Sequence, residues 1–141
     1  MKYLLDTNVL SDLRRQGPRS RRLREWFDAQ RPEDLSVSVV TLGEIRQGIE
    51  QLRRRDRLQA DHLNRWLAAL SRHYADRVLP VDEATADEWG RLRALRSVPV
   101  VDSLIAATAR VRDLTLVTRN GQDVEGFGVT VIDPGEETSR T

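Results

Sequence analysis

The chain reads as an α/β protein whose central sheet is mainly parallel and carries helices on both faces. Short β-type runs alternate with longer stretches of helical periodicity from end to end. A helical segment between two strands demands a crossover, and crossovers join parallel strands. No internal repeat or low-complexity linker breaks the alternation, and 141 residues suit one core. The expected organisation is a single domain over 1–133, with 134–141 as a flexible tail.

Residues 2–5 form a first apolar run and predict a buried strand. A short helix is expected from Asn8 to about Arg15, ended by Gly17-Pro18. Ser20 is placed to cap the next helix, about 20–30, which sets Leu23, Trp26 and Phe27 on one face and stops before Pro32. Leu35 to Val39 alternates with period two and predicts a second strand. Thr41 and Glu44 then have capping-box spacing at the start of a helix with Leu42, Ile45, Ile49 and Leu52 on its apolar face. From about Arg57 to Tyr74, Leu63, Trp66, Leu67, Leu70 and Tyr74 form one stripe of a long helix. Val78-Leu79 is a third strand. Asp82 caps a helix whose buried side is Trp89, Leu92 and Leu95, and Pro99 ends it. Leu104 to Ala109 is apolar nearly all round, which marks a central, buried helix. Leu114–Val117 and Val129–Ile132 supply the last two strands, joined by the turn-rich stretch from Asn120-Gly121 to Gly128.

Composition narrows the chemistry. There is no Cys, which removes disulfides, zinc fingers, iron–sulfur clusters and thiol nucleophiles together. Only His62 and His73 are present, so a metal would be held by oxygen; both lie in an arginine-rich helical region and read as surface residues. No apolar run reaches the roughly 18 residues of a membrane span, and the apolar start breaks at Asp6, so a cytoplasmic protein with no membrane partner is expected. The net charge of +1 hides an asymmetry: residues 1–80 carry 16 basic and 11 acidic groups, residues 81–141 carry 7 and 11. Arginines cluster at Arg14, Arg15, Arg19, Arg21, Arg22 and Arg24 and again from Arg53 to Arg57. Their planar forks suit phosphate, although a solvated helix face gives the same pattern. No phosphate-binding glycine loop or dinucleotide fingerprint is present.

Four acids share one setting, at or just inside the start of a helical segment that follows an apolar run or a break: Asp6, Glu44, Asp102 and Asp123. In a parallel sheet the carboxyl ends of the strands line one edge, and ligands bind in the crevice outside it. Carboxylates gathered there repel one another unless a cation lies between them, and an all-oxygen donor set favours Mg²⁺ or Mn²⁺ over zinc. Such an ion can polarise a phosphodiester and orient a hydroxide for in-line attack. Helix capping is the alternative for each acid taken singly, Glu44 as partner of Thr41 and Asp123 as partner of Asn120. Asp6, between a buried strand and a Thr-Asn turn, fits capping least well.

The run Leu5-Asp6-Thr7-Asn8-Val9-Leu10, the segment around Glu44, Val101-Asp102-Ser103 with the helix after it, and Val117-Thr118-Arg119-Asn120 through Asp123 together resemble the PIN-domain family, in order over about residues 2–133. Within that family the chain is similar to VapC-type toxins of toxin–antitoxin pairs. The resemblance implies a Rossmann-like three-layer α/β/α fold and a Mg²⁺- or Mn²⁺-dependent ribonuclease. It implies Asp6 and Asp102 as direct metal ligands, Glu44 and Asp123 as ligands directly or through water, and Thr118 and Asn120 as polar support. An activated water would attack phosphorus and leave 5′-phosphate and 3′-hydroxyl ends. Arg14, Arg15, Arg21, Arg22 and Arg24 are the candidates for guiding the RNA backbone. A homodimer is implied, and a cognate antitoxin that blocks the acidic pocket with a basic side chain. A non-catalytic RNA- or protein-binding module of the same fold, a DNA nuclease and a housekeeping RNA-processing nuclease are the alternatives. Retention of four mutually repelling acids counts against the module.

Overall fold

The computed structural model describes residues 1–137. Five strands form one parallel sheet in the order β3-β2-β1-β4-β5: β1 Tyr3–Leu5, β2 Leu35–Ser38, β3 Val78–Leu79, β4 Thr115–Val117 and β5 Val131–Ile132. The register pairs Leu5 with Val37 on one side and with Val117 on the other. Six helices connect them: α1 Thr7–Leu13, α2 Pro18–Asp28, α3 Val39–Arg53, α4 Arg57–His73, α5 Glu83–Leu95 and α6 Val100–Val111. The expected parallel α/β architecture is therefore the one observed.

Strand alternation divides the interior. Leu4 and Leu116 point into a cluster with Leu92, Ile105, Ala106, Ala109 and Phe127, under α5 and α6. Leu5, Val37 and Val117 point the other way, against Val9, Leu10, Leu23 and Tyr74. A smaller cluster of Ile45, Ile49, Ala60 and Leu67 joins α3 to α4. α6 is the central helix expected from its composition: Ile105 to Ala109 are all buried, and Trp89 of α5 donates from Nε1 to Ser103 Oγ at 3.0 Å.

Several local expectations are corrected. α3 begins at Val39, capped by Ser38, whose Oγ accepts from the Val40 N–H at 3.1 Å. Thr41 and Glu44 therefore lie inside the helix and are not a capping box. β2 is buried along its whole length, so its period-two pattern records polarity and not exposure. Helices cover both faces of a parallel sheet, and Ser36 satisfies itself by donating to Tyr3 O at 2.7 Å. α2 is capped by Gly17, at φ 122°, with Pro18 following it. Ser20 is instead buried, donating to Asp12 O at 2.7 Å. Leu95 is 67% exposed, because α5 ends there and its last turn leaves the core. At the start of the expected tail, Gly135 is buried and its carbonyl accepts from Arg22 Nε at 2.8 Å. The expectation for 138–141 lies outside the described residues.

Candidate active site

The chain runs from β1 to β2 to β3 in one direction across the sheet, then crosses back to place β4 on the other side of β1. The reversal between β1 and β4 opens a crevice at the carboxyl ends of the strands. Asp6 follows β1 directly and Thr118 follows β4 directly. Asp6 is 8% exposed. Its Oδ1 caps α1 by accepting the Thr7 N–H at 2.7 Å. Its Oδ2 accepts from Thr118 Oγ1 at 2.7 Å and from Asn8 Nδ2 at 3.2 Å. Burial raises the Asp6 carboxyl above its ordinary value, and these donors, with the Arg119 charge, pull against that rise.

Glu44 enters from α3, where its Oε1 accepts from Thr7 Oγ1 at 2.5 Å. That hydroxyl also contacts Thr41 Oγ1 at 3.2 Å, which ties α1 to α3. Asp102 sits in the first turn of α6. Its carboxyl is pushed up to about 6, first by burial and then by the negative charges of Asp6, Glu44 and Asp123. The four predicted acids thus share one electrostatic neighbourhood, although they come from four different segments of the chain. Asp123 is the most open of them, on a one-turn 3₁₀ segment, Gly121–Val124, whose start at Asn120 has no side-chain cap.

Of the four acids only Asp6 caps a helix, which reverses the expectation that it fits capping least well. Thr118 is buried and donates to Asp6; Asn120 contributes through its main-chain N–H, which donates to Thr118 Oγ1 at 3.1 Å. Among the described residues no three Asp, Glu or His side chains close into a ready coordination shell. The donor set is nonetheless all carboxylate, negative and partly desolvated, and a hard divalent cation is the ligand that relieves such a cluster.

A groove of about 580 Å³ leads away from Thr7 and Glu44, rimmed by Arg14, Arg15 and Arg55 and floored by Ile45, Ile49 and Trp66. The Arg14 guanidinium lies 4.8 Å from the Trp66 ring centroid. Of the five arginines expected to guide RNA, Arg14 and Arg15 line this groove. Arg21, Arg22 and Arg24, on α2, do not line it; Arg22 donates from Nε to Gly135 O, and Arg24 donates to Arg15 O at 3.1 Å. Thr7, Asn8 and Arg55 were not among the expected site residues. The adjacency of Thr7 and Asn8 to Asp6 in one tight turn was the available signal for the first two; nothing in the sequence marked Arg55 apart from its neighbours.

The PIN-domain profile matches residues 3–125, and the chain belongs to the PIN-domain family. The VapC ribonuclease Y4jK of Sinorhizobium fredii is 33% identical over 94% of this chain and 97% of its own. Toxin FitB of Neisseria gonorrhoeae is 32% identical over 93% and 96%. The crystal structure of FitAcB from the same organism shares the fold with a TM-score of 0.84 at 31% identity, covering 94% of this chain and 97% of that one. Among the described residues no helix is long and apolar enough to cross a membrane.

Proposed function

We propose that the chain is a metal-dependent endoribonuclease, the toxin of a toxin–antitoxin pair, which hydrolyses phosphodiester bonds in tRNA or another structured RNA in the cytoplasm. The observation that carries this reading is the gathering of Asp6, Glu44 and Asp123 around Asp102, whose carboxyl is pushed up to about 6 by burial first and by their negative charges second. Negative charge is gathered here at a cost to stability, which a purely structural site would avoid. The names borne by similar proteins, a VapC ribonuclease and a toxin, support RNA as the substrate class and toxicity as the role.

Asp6 and Asp102 would hold Mg²⁺ or Mn²⁺ directly, with Glu44 and Asp123 bound directly or through water. Bound there, the ion would supply Lewis-acid polarisation of the phosphate and of a water. The chain's own groups prepare the site. Thr118 and Asn8 orient the inner oxygen of Asp6, Thr7 orients Glu44, and Arg14 and Arg15 draw the RNA backbone along the groove toward the acids. The same negative pocket is complementary to a basic side chain, which is how a cognate antitoxin would silence it. We also propose a homodimer, which light scattering at the mass of one chain would overturn.

The test is cleavage of a total small-RNA pool by antitoxin-free protein, wild type beside Asp6→Asn, in Mg²⁺, Mn²⁺ or EDTA. Discrete fragments that need both the metal and Asp6 are expected. Intact RNA in every lane would overturn the reading in favour of a binding module or a DNA substrate.

A further inference from the structure

Outside the acidic cluster, Asp12 is the carboxylate that pairs with the most arginines among the described residues. It is 2% exposed yet lies at the end of α1 opposite to Asp6. Three arginines converge on it: Arg119 at 2.8 Å and Arg15 at 3.3 Å on Oδ1, and Arg19 at 3.0 Å on Oδ2. Two of these have local explanations. Arg15 is a helix neighbour, and Arg19 also pairs with Asp133 at 2.7 Å, pinning α2 to the segment after β5. Arg119 comes from the loop after β4, 107 residues away in sequence.

The main chain of the same Arg119 ends in the site. Its N–H donates to Asn8 Oδ1 at 3.1 Å. Asn8 Nδ2 in turn donates to Asp6 Oδ2 and to Thr118 Oγ1, both at 3.2 Å. Arg119 therefore lies along α1, with its backbone fixed at the Asp6 end and its guanidinium at the Asp12 end. The loop that carries Thr118 is bolted to α1 at two points, and both bear on the orientation of Asp6.

We propose that Asp12 and Arg119 are a positioning pair for the acidic site: they fix the loop that aims Asp6 and so set the affinity for the divalent cation. The inference rests on the nuclease reading above. Neither residue belongs to the acidic cluster, and Asp12 is too buried to meet RNA. Groups that orient metal-binding carboxylates are worth about 10–100-fold in metal affinity when removed, because a carboxylate free to rotate loses the geometry a small hard ion demands.

The experiment measures Mn²⁺ binding by calorimetry without RNA, and amide hydrogen exchange of the 117–121 region in metal-free protein. Wild type is compared with Arg119→Gln, Arg119→Lys, Asp12→Asn and the control Arg19→Gln, which removes an Asp12 ion pair but leaves the loop untouched. Expected are Mn²⁺ binding weakened about tenfold and faster loop exchange in Arg119→Gln and Asp12→Asn, partial recovery in Arg119→Lys, and near wild-type affinity in Arg19→Gln. Arg119→Gln keeps the interpretation open if Asp12→Asn fails to fold. Wild-type Mn²⁺ affinity in Arg119→Gln would overturn the proposal, including where RNA KM rises, since that would make Arg119 an RNA contact. Equal weakening in Arg19→Gln would overturn it as a general stability effect. If wild type itself takes up no Mn²⁺, the nuclease reading falls and this one with it.

Discussion

Asp6 performs two tasks with the two oxygens of one carboxylate, capping α1 with Oδ1 and meeting Thr118 and Asn8 with Oδ2. Asn caps helices about as well as Asp. Asp6→Asn should therefore abolish metal-dependent cleavage while the chain still folds with α1 capped, although its amide NH2 can no longer accept from Asn8; paired cleavage and melting assays would show this. Asp102 answers to pH. Because its carboxyl is raised from 3.8 to about 6, the folded chain keeps that proton in a range where the unfolded chain has released it. Its contribution to stability is full below the unfolded value, declines as pH rises, and is lost above the folded value. Asp102→Asn should then stabilise metal-free protein by on the order of 1 kcal/mol at about pH 8, a figure reduced because the group is only half-buried, and by nothing near pH 3.5. Equal denaturation midpoints for the two proteins at about pH 8 would refute this.

At the scale of elements, helix starts set the site. Ser38, not Thr41, caps α3, and the difference of one turn leaves Glu44 free of a capping role and accepting from Thr7 instead. Ser38→Ala should cost about 1 kcal/mol by chemical denaturation. α6 carries Asp102 on its first turn and buries Ile105 to Ala109 beneath the sheet, so its fit against α5 and β4 fixes where that acid stands. Ala107 is wholly buried. Enlarging it by Ala107→Leu should destabilise by about 1–3 kcal/mol and, by displacing α6, weaken Mn²⁺ binding as well. A variant with unchanged Mn²⁺ affinity would show that α6 tolerates movement without carrying Asp102 along.

For the molecule as a whole, the reversal of strand order between β1 and β4 creates the crevice, and the charge asymmetry of the chain is arranged around it. The basic N-terminal half supplies the groove rim at Arg14, Arg15 and Arg55, and the four acids share one electrostatic neighbourhood beside it. A phosphate-guiding role predicts that Arg14→Gln raises KM for RNA, spares kcat, and flattens the dependence of log KM on log salt by roughly 0.7, one single-strand phosphate contact. An unchanged salt slope would assign Arg14 to packing on Trp66 instead.

The sequence by itself determined the parallel α/β architecture, because strand and helix periodicities alternate and helical crossovers leave no other sheet. It also singled out four acids, because Asp6, Glu44, Asp102 and Asp123 recur at similar points of successive units. Periodicity is local, however, and could not tell a cap from a site residue: Glu44 following Thr41 fits both until the partner Thr7, 37 residues away, comes into reach. Nor could it show that β2 is covered on both faces or that Leu95 escapes the core, since burial depends on which neighbours arrive. Only the tertiary structure decided that Arg14 and Arg15, but not Arg21, Arg22 and Arg24, line the groove, and that Arg119 joins Asp12 to Asp6. Long-range ion pairs and hydrogen bonds leave no period in a sequence; they exist only where the fold brings distant side chains within about 3 Å.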